Sequence, residues 1–451
     1  MYIFFVRHFN DIDHLTPVAW KLHRDNYRVA VYCMNLRYDI RHDYRLCFLK
    51  EQGVTVDYVY EAFAETLGPV HKFLYALIRR SYRAQSRLIL KSNGPAGPIL
   101  RVLGRGAGLL GSLFYKLARK IYYDHRWARA VLERTGAQAV CFDYIMPRLY
   151  VVDAFLKASG KMSIPSLALP HGVQLYTNEM TKLKSTDARR LAKFNRFDYI
   201  IAPNKLRKEI LVKSGVAEDK ISVFGSARYC SAWLEQTRKI LPRAGAKFSH
   251  SSEKLKVVLM PSKPQCRIDM ERMFGSCHLI AELSGIEAVI KPHTRTRSSY
   301  KFGDYPLPDV SHVLTAELCE WADVLLVMGS SVIMEALMRG KPALYLKYLH
   351  ANTTLVEELN ACWTIHNEDE LKQALVSLKA DKTRVPYSEA NVAKLISEVV
   401  HGGDDSRDVL GAYEQFIVNC ATGELPSQGS HGNIPTGAPP RQNRFRGMSL
   451  I

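Results

Sequence analysis

Three short segments of this chain carry residue types that could do chemistry together. An apolar run over 322–328 gives way to Gly329, Ser330 and Ser331, then to an apolar-periodic stretch with Glu335 four residues past Ser331. Small polar residues at a helix start present unpaired N–H groups and the positive end of the helix dipole, a setting that suits a phosphate. Glu335 falls about one turn further along the same face, where a carboxylate can accept from ribose hydroxyls. An ordinary capped helix with a solvated first-turn acid is the plainer account of the same residues. In the second segment a short apolar strand ends and Lys291, Pro292, His293, Arg295 and Arg297 follow. Loops at the carboxyl ends of parallel strands are where open α/β sheets bind ligands, and Lys and Arg there suit a polyanion. A solvated basic loop is the bland alternative. The third segment is a strand over 164–169 that ends in Pro170, His171 and Gly172. Gly172 lets a substrate approach the backbone, and His171 has the right chemistry for a base or an oxyanion donor near neutral pH. A histidine capped in a turn would look the same in sequence.

Two further positions belong to the same inventory. The loop after the first strand holds Arg7, His8, Asp11, Asp13 and His14, and Asp13 or Asp11 could deprotonate a hydroxyl if burial raised its pKa. Against that reading, Thr16 with Pro17 is a strong N-cap signal, so the sequence predicts a helix over 16–24 with Asp13 as a flanking cap. Arg228, in the Gly-Ser-Ala-Arg run that ends another strand, is placed to reach a phosphate.

Taken in order, strand-His171-Gly172, Lys291-Pro292-His293 and Ser330-Ser331 with Glu335 resemble the GT-B transferases of bacterial surface polymers. The CDP-glycerol glycerophosphotransferases of teichoic acid synthesis, the capsule-type Kdo transferases and some sialyltransferases show a similar arrangement. The resemblance covers roughly residues 165 to 420. Where that group often reads Lys-Pro-His-Pro, Thr294 and Arg295 follow His293 here. The resemblance implies two doubly wound Rossmann-like domains facing across a cleft. The donor nucleotide would lie on Lys291, Arg295, Ser330, Ser331 and Glu335, with Arg228 as a further phosphate contact and His171, His293 and Asp13 in catalysis.

The elements that must position these residues are legible as strands alternating with helical patterns, which argues for parallel sheets. Strands are predicted near 2–6, 28–33, 54–60, 139–143, 164–169, 198–202 and 221–224, and again near 256–261, 288–290, 323–328 and 343–345. An N-terminal acceptor-side domain over 1–240, a polar linker at 241–253 and a donor domain over 254–420 follow. The Gly- and Pro-rich end from 421 reads as a disordered tail. Nine scattered cysteines form no metal-ligand or disulfide pattern. With no convincing Asp-x-Asp at a strand end, neither a metal nor any other cofactor is expected. The first residues read as a strand, not a leader, and no run is long enough to span a membrane.

Charge is unevenly placed. Of the formal +18, residues 72–134 supply 14 Lys/Arg minus 2 acids, or +12, alongside apolar periodicity at Leu109, Leu110, Leu113, Leu117 and Ile121. A basic amphipathic insertion at about 69–135 predicts peripheral contact with an anionic membrane surface, at the inner face of the cell membrane. Surface helices packed on their own domain, or a nucleic-acid-binding face, fit the charge as well. The expected function is therefore transfer of a sugar or polyol phosphate from a nucleotide-activated donor to a surface polysaccharide or lipid-linked acceptor, without metal. The alternatives are a UDP-N-acetylglucosamine 2-epimerase-like isomerase and a non-catalytic binder of nucleic acid or glycan.

Overall fold

The structure is a computed structural model that describes residues 1–92, 96–178, 188–242, 253–262, 266–293 and 306–424. Arg295, most of the expected linker and the expected tail from 425 onward lie outside the described residues. The first half forms a seven-stranded parallel sheet of β1 (Tyr2–Val6), β2 (Val29–Cys33), β3 (Thr55–Tyr58), β4 (Ala139–Asp143), β5 (Ser166–Leu169), β6 (Tyr199–Ala202) and β7 (Ile221–Val223), in the order 3-2-1-4-5-6-7. Strands β1, β2, β4 and β5 are buried at every position, because helices cover both faces of a parallel sheet. That is why they read as unbroken apolar runs.

The second half forms β8 (Leu255–Met260), β9 (Ile286–Ile290), β10 (Val324–Val327), β11 (Ala343–Leu346) and β12 (Trp363–Ile365), again parallel, in the order 12-11-10-8-9. Alternate residues of its strands feed two cores. Val258, Met260, Leu325 and Val327 pack on one face, and Val257, Leu259, Val324 and Leu326 on the other. Two Rossmann-like α/β halves thus make the GT-B architecture. In each, the strand order reverses beside the first strand, between β1 and β4 and between β8 and β10. Ligands of open α/β sheets bind outside the carboxyl ends at such points.

Four details differ from the sequence expectation. The first helix runs Phe9–Arg24, so Pro17 lies inside it and Thr16 is no cap. The early start is fixed by Asp11, whose carboxylate accepts the Arg7 backbone N–H at 2.9 Å in the first turn. The insertion is a hairpin of two helices, Gly68–Leu90 and Gly97–Ile121. The following helix His125–Thr135 buries Trp127, Ala128, Val131 and Leu132 as an ordinary sheet-covering element. Strand β12, Trp363–Ile365, is not among the strands the sequence predicts. Finally, the helix Val409–Thr422 follows the second sheet in sequence but packs on the first. Val409, Leu410, Tyr413, Ile417 and Cys420 join that core, and Gly423 closes the helix at φ 75°. The expected donor domain over 254–420 therefore lends its last helix to the other half.

Candidate functional site

At the β1/β4 crossover two buried carboxylates share one guanidinium and one imidazole. Arg7, the residue after β1, donates Nε to Asp11 Oδ2 at 2.6 Å and Nη2 to both Asp143 oxygens at 2.6 Å. Asp143 is the last residue of β4, so the strand end itself aims its carboxylate at the crossover. His171, two residues past β5, places Nδ1 against Asp143 Oδ2 and 3.4 Å from Asp11 Oδ1. His8 sets its own Nδ1 3.1 Å from Asp11, and its ring meets that of His171 edge-on at 5.8 Å. A third of the His171 side chain stays accessible while both carboxylates are covered.

The electrostatics follow from that packing. Burial would lower the His171 pKa, but hydrogen bonds to Asp11 and Asp143 and their charges raise it to about 9. Burial would raise Asp11, yet its bond to His171 and the Arg7 and His8 charges hold it well below the usual carboxylate range. Burial, with Asp11 alongside, wins at Asp143 and raises it. At pH 7 an imidazole titrating near 9 is neutral in only about 1% of molecules. His171 is therefore held mainly protonated, as a proton and hydrogen-bond donor, where the sequence left base and oxyanion donor both open. Both carboxylates use Nδ1, which leaves Nε2 as the nitrogen that can address a ligand. Ligand atoms of Asp11, Asp143 and His171 lie within 4.8 Å of one another, as a metal site would require. Arg7 already pairs with both carboxylates there.

The loop that carries His171 continues into the other half. The amide of Leu355 donates to the Leu175 carbonyl at 2.8 Å, Thr177 N to the Thr353 carbonyl at 3.1 Å, and Tyr176 Oη to the Gly329 carbonyl at 2.6 Å. Gly329 stands at the end of β10 with φ 72°, and a Cβ there would lie 2.9 Å from Tyr176 Oη, so the turn needs glycine. Ser330 and Ser331 are half-buried beside it. The helix behind them, Val332–Leu337, is less than two turns long and offers little dipole. Its amides at Ile333 and Met334 bond back to the Ser330 and Ser331 carbonyls, both at 3.1 Å.

Of the other expected residues, Arg228 and Glu335 meet across the two halves. Asp13 is paired with Arg45 and, at 2.9 Å, with Arg228. Asp13, offered by the sequence as a base, thus has its carboxylate engaged by two guanidinium groups. Arg228 also lies 3.9 Å from Glu335, whose other oxygen accepts from Arg339 at 3.1 Å. Glu335 is thus 5% exposed and bound to arginines in place of an open ribose acceptor. Lys291 is buried and donates Nζ to the carbonyls of Val313 and, at 3.4 Å, Ser311. His293 is half-buried at the edge of the described residues. Of the crossover cluster, His171 and Asp11 are among the residues singled out from the sequence and Asp143 is not, since it only closes the strand predicted near 139–143.

No family model and no curated protein matches this chain. Solved structures do. The UDP-GlcNAc 2-epimerase of Neisseria meningitidis, solved with UDP-GlcNAc bound, is 14% identical over 94% of this chain and 99% of that one, at a TM-score of 0.52. A putative UDP-N-acetylglucosamine 2-epimerase of Listeria monocytogenes is 12% identical over 94% and 97%, also at 0.52. The glycosyltransferase of kitacinnamycin is 14% identical over 92% and 97%, at 0.50. At these identities the likeness shows the shared fold. Further 2-epimerases recur among the matches. They overturn the expected transfer of a sugar or polyol phosphate to a polymer or lipid-linked acceptor. These structures support the GT-B fold in general and not the glycerophosphotransferase and capsule-type group in particular. The short motifs misled for a physical reason. They set cations and tight turns at strand ends, a need common to any nucleotide-linked substrate, and so leave the reaction unspecified.

Proposed function

We propose that this chain is a metal-independent isomerase of a nucleotide sugar, of the UDP-N-acetylglucosamine 2-epimerase type. The observation that carries the reading is the Arg7–Asp11–Asp143–His171 cluster at one crossover, joined through the Tyr176 loop to the Gly329–Ser331 turn at the other. The nucleotide would lie along the Gly329, Ser330 and Ser331 rim, and the sugar would face His171. Inverting the carbon beside the anomeric centre breaks its C–H bond, and the proton leaves to a base. The electron pair forms a double bond to the anomeric carbon as the nucleotide oxygen departs from it. The nucleotide then re-adds as a proton returns to the opposite face. Charge developing on the departing oxygen is stabilised by a preorganised imidazolium, which also has a proton to give. Asp11, held ionised, fixes that imidazolium, and Arg7 keeps the two carboxylates from repelling each other. A protein that only bound glycan or nucleic acid would have no use for a proton donor set over two buried carboxylates.

The test is incubation with UDP-N-acetylglucosamine in D₂O followed by proton NMR. Conversion to a second sugar nucleotide, with exchange at the inverted carbon, supports the reading. Conversion should persist in EDTA and fall by about 10²–10⁴-fold in His171→Gln. Binding of UDP without any turnover in the wild-type chain would overturn the isomerase.

A further inference from the structure

The hairpin formed by the helices Gly68–Leu90 and Gly97–Ile121 is built against the usual economy of an amphipathic helix. Such a helix ordinarily buries its apolar stripe and exposes its polar one. Here the inner seam is made by glycines. A Cβ at Gly104 would lie 3.3 Å from Ile89, one at Gly108 2.4 Å from Gln85, and one at Gly111 2.8 Å from Tyr82. Backbone meets neighbouring helix at that seam, so the large apolar residues are left outside. Ile99 is 66% exposed, Leu109 72%, Leu113 62% and Leu117 47%. Every exposed large hydrophobic among the described residues lies on this hairpin except Leu149 and Val376. The hairpin is firmly mounted nonetheless. Arg37 donates to Ser112 Oγ at 2.6 Å and its guanidinium lies 4.6 Å from the centre of the Tyr82 ring, while Arg79 sits 4.4 Å over Tyr58.

Charge decides what covers this ridge. Between 68 and 121 the chain has eleven Lys/Arg and no acid. Two copies meeting on this face would bring those charges together, which disfavours self-association. A nucleic acid would use the charge but leave the leucines in water. A bilayer with anionic head groups uses both, because the apolar ridge enters the acyl boundary while the flanking cations stay among the phosphates. No helix among the described residues is long and apolar enough to cross a membrane, so the contact is one of lying on the surface. We propose that the hairpin docks this protein on an anionic lipid surface through the Ile99–Leu109–Leu113–Leu117 ridge, with Arg101, Arg105, Lys116 and Lys120 at the head groups.

The experiment is vesicle co-sedimentation of the full chain, with vesicles of phosphatidylcholine alone or with about a third phosphatidylglycerol. The wild-type chain should partition at least tenfold better onto the anionic vesicles, and less well as salt rises to about 1 M. Leu109→Ser with Leu113→Ser and Leu117→Ser should lower partitioning at least tenfold with an unchanged melting temperature, since those side chains support no core. Lys116→Glu with Lys120→Glu should do the same by charge. Absence of binding to anionic vesicles overturns the proposal. So does a dimer in sedimentation that the serine variant dissociates, or tight binding to duplex DNA with vesicle binding indifferent to the leucines. Turnover of a soluble nucleotide sugar should be the same in the serine variant, so this surface and the isomerase reading fail separately.

Discussion

At the scale of single residues the decisive fact is that His171 lies between two carboxylates, Asp11 and Asp143, both of which Arg7 engages and one of which, Asp11, His8 also meets. The raised pKa of His171 gives folding a pH dependence of known sign. The protonated ring is stabilised in the folded chain relative to an ordinary histidine near 6.5. That contribution is present in full below about pH 6.5 and is lost as pH rises through about 9. Denaturant midpoints measured from pH 6 to pH 10 should therefore fall across that window in the wild-type chain. His171→Gln should flatten the fall, because glutamine keeps a donor for the carboxylates but no titrating charge. A wild-type midpoint indifferent to pH between 6.5 and 9.5 would mean that the ring is neutral and the proton donor is lost. Turnover should show the same upper limb, since a donor that has given up its proton above pH 9 no longer assists a departing oxygen.

At the scale of elements one link between the two halves is a strap, residues 171–178, that leaves β5 with His171 and reaches the β10 turn with Tyr176. Gly329→Ala tests it. A side chain at φ 72° costs about 1–3 kcal/mol, and its Cβ would press on Tyr176 Oη. The expected outcome is that loss of stability by chemical denaturation together with weaker nucleotide binding by calorimetry. Stability loss with binding unchanged would place the nucleotide elsewhere. How far such elements could be read beforehand depended on whether their signals were local. Buried parallel strands such as Tyr2–Val6 announce themselves by composition, and the glycine-serine turn after β10 by its residue types. The first helix was misplaced because Thr16 and Pro17 form a good local cap, whereas its true start is set by Asp11, which answers to Arg7, Asp143 and His171. The 136 residues separating Arg7 from Asp143 make that partnership invisible to any window. The three-residue β12 is too short to show a period. On the hairpin the apolar stripe was legible, but only the glycine seam reveals that it faces outward.

At the scale of the whole molecule, the chain order of the halves is not their order of assembly, because the last described helix returns to the first sheet. Val409–Thr422 brings Tyr413 fully into that core, where Oη donates to the Gly225 carbonyl at 2.9 Å, and Glu414 pairs with Lys21 of the first helix. Gly225 has φ 90°, and a Cβ there would lie 2.0 Å from the Val400 carbonyl oxygen, so the end of the first half and the return segment are fitted backbone to backbone. Arg407 closes the same junction by donating to the Val223 carbonyl at 2.8 Å. A chain clasped in this way should not unfold half by half. The second sheet cannot come away while its C-terminal helix is inserted in the first, and the first sheet exposes part of its core if that helix leaves. Urea unfolding followed by circular dichroism and by tryptophan fluorescence should then give coincident single transitions. Tyr413→Ala removes a large buried ring and a buried hydrogen bond, at a cost of about 3–5 kcal/mol. It should also separate the two transitions, since it loosens the clasp without touching either sheet's strands. Two transitions already present in the wild-type chain would show instead that the halves fold independently and that the returning helix merely rests on the surface it covers.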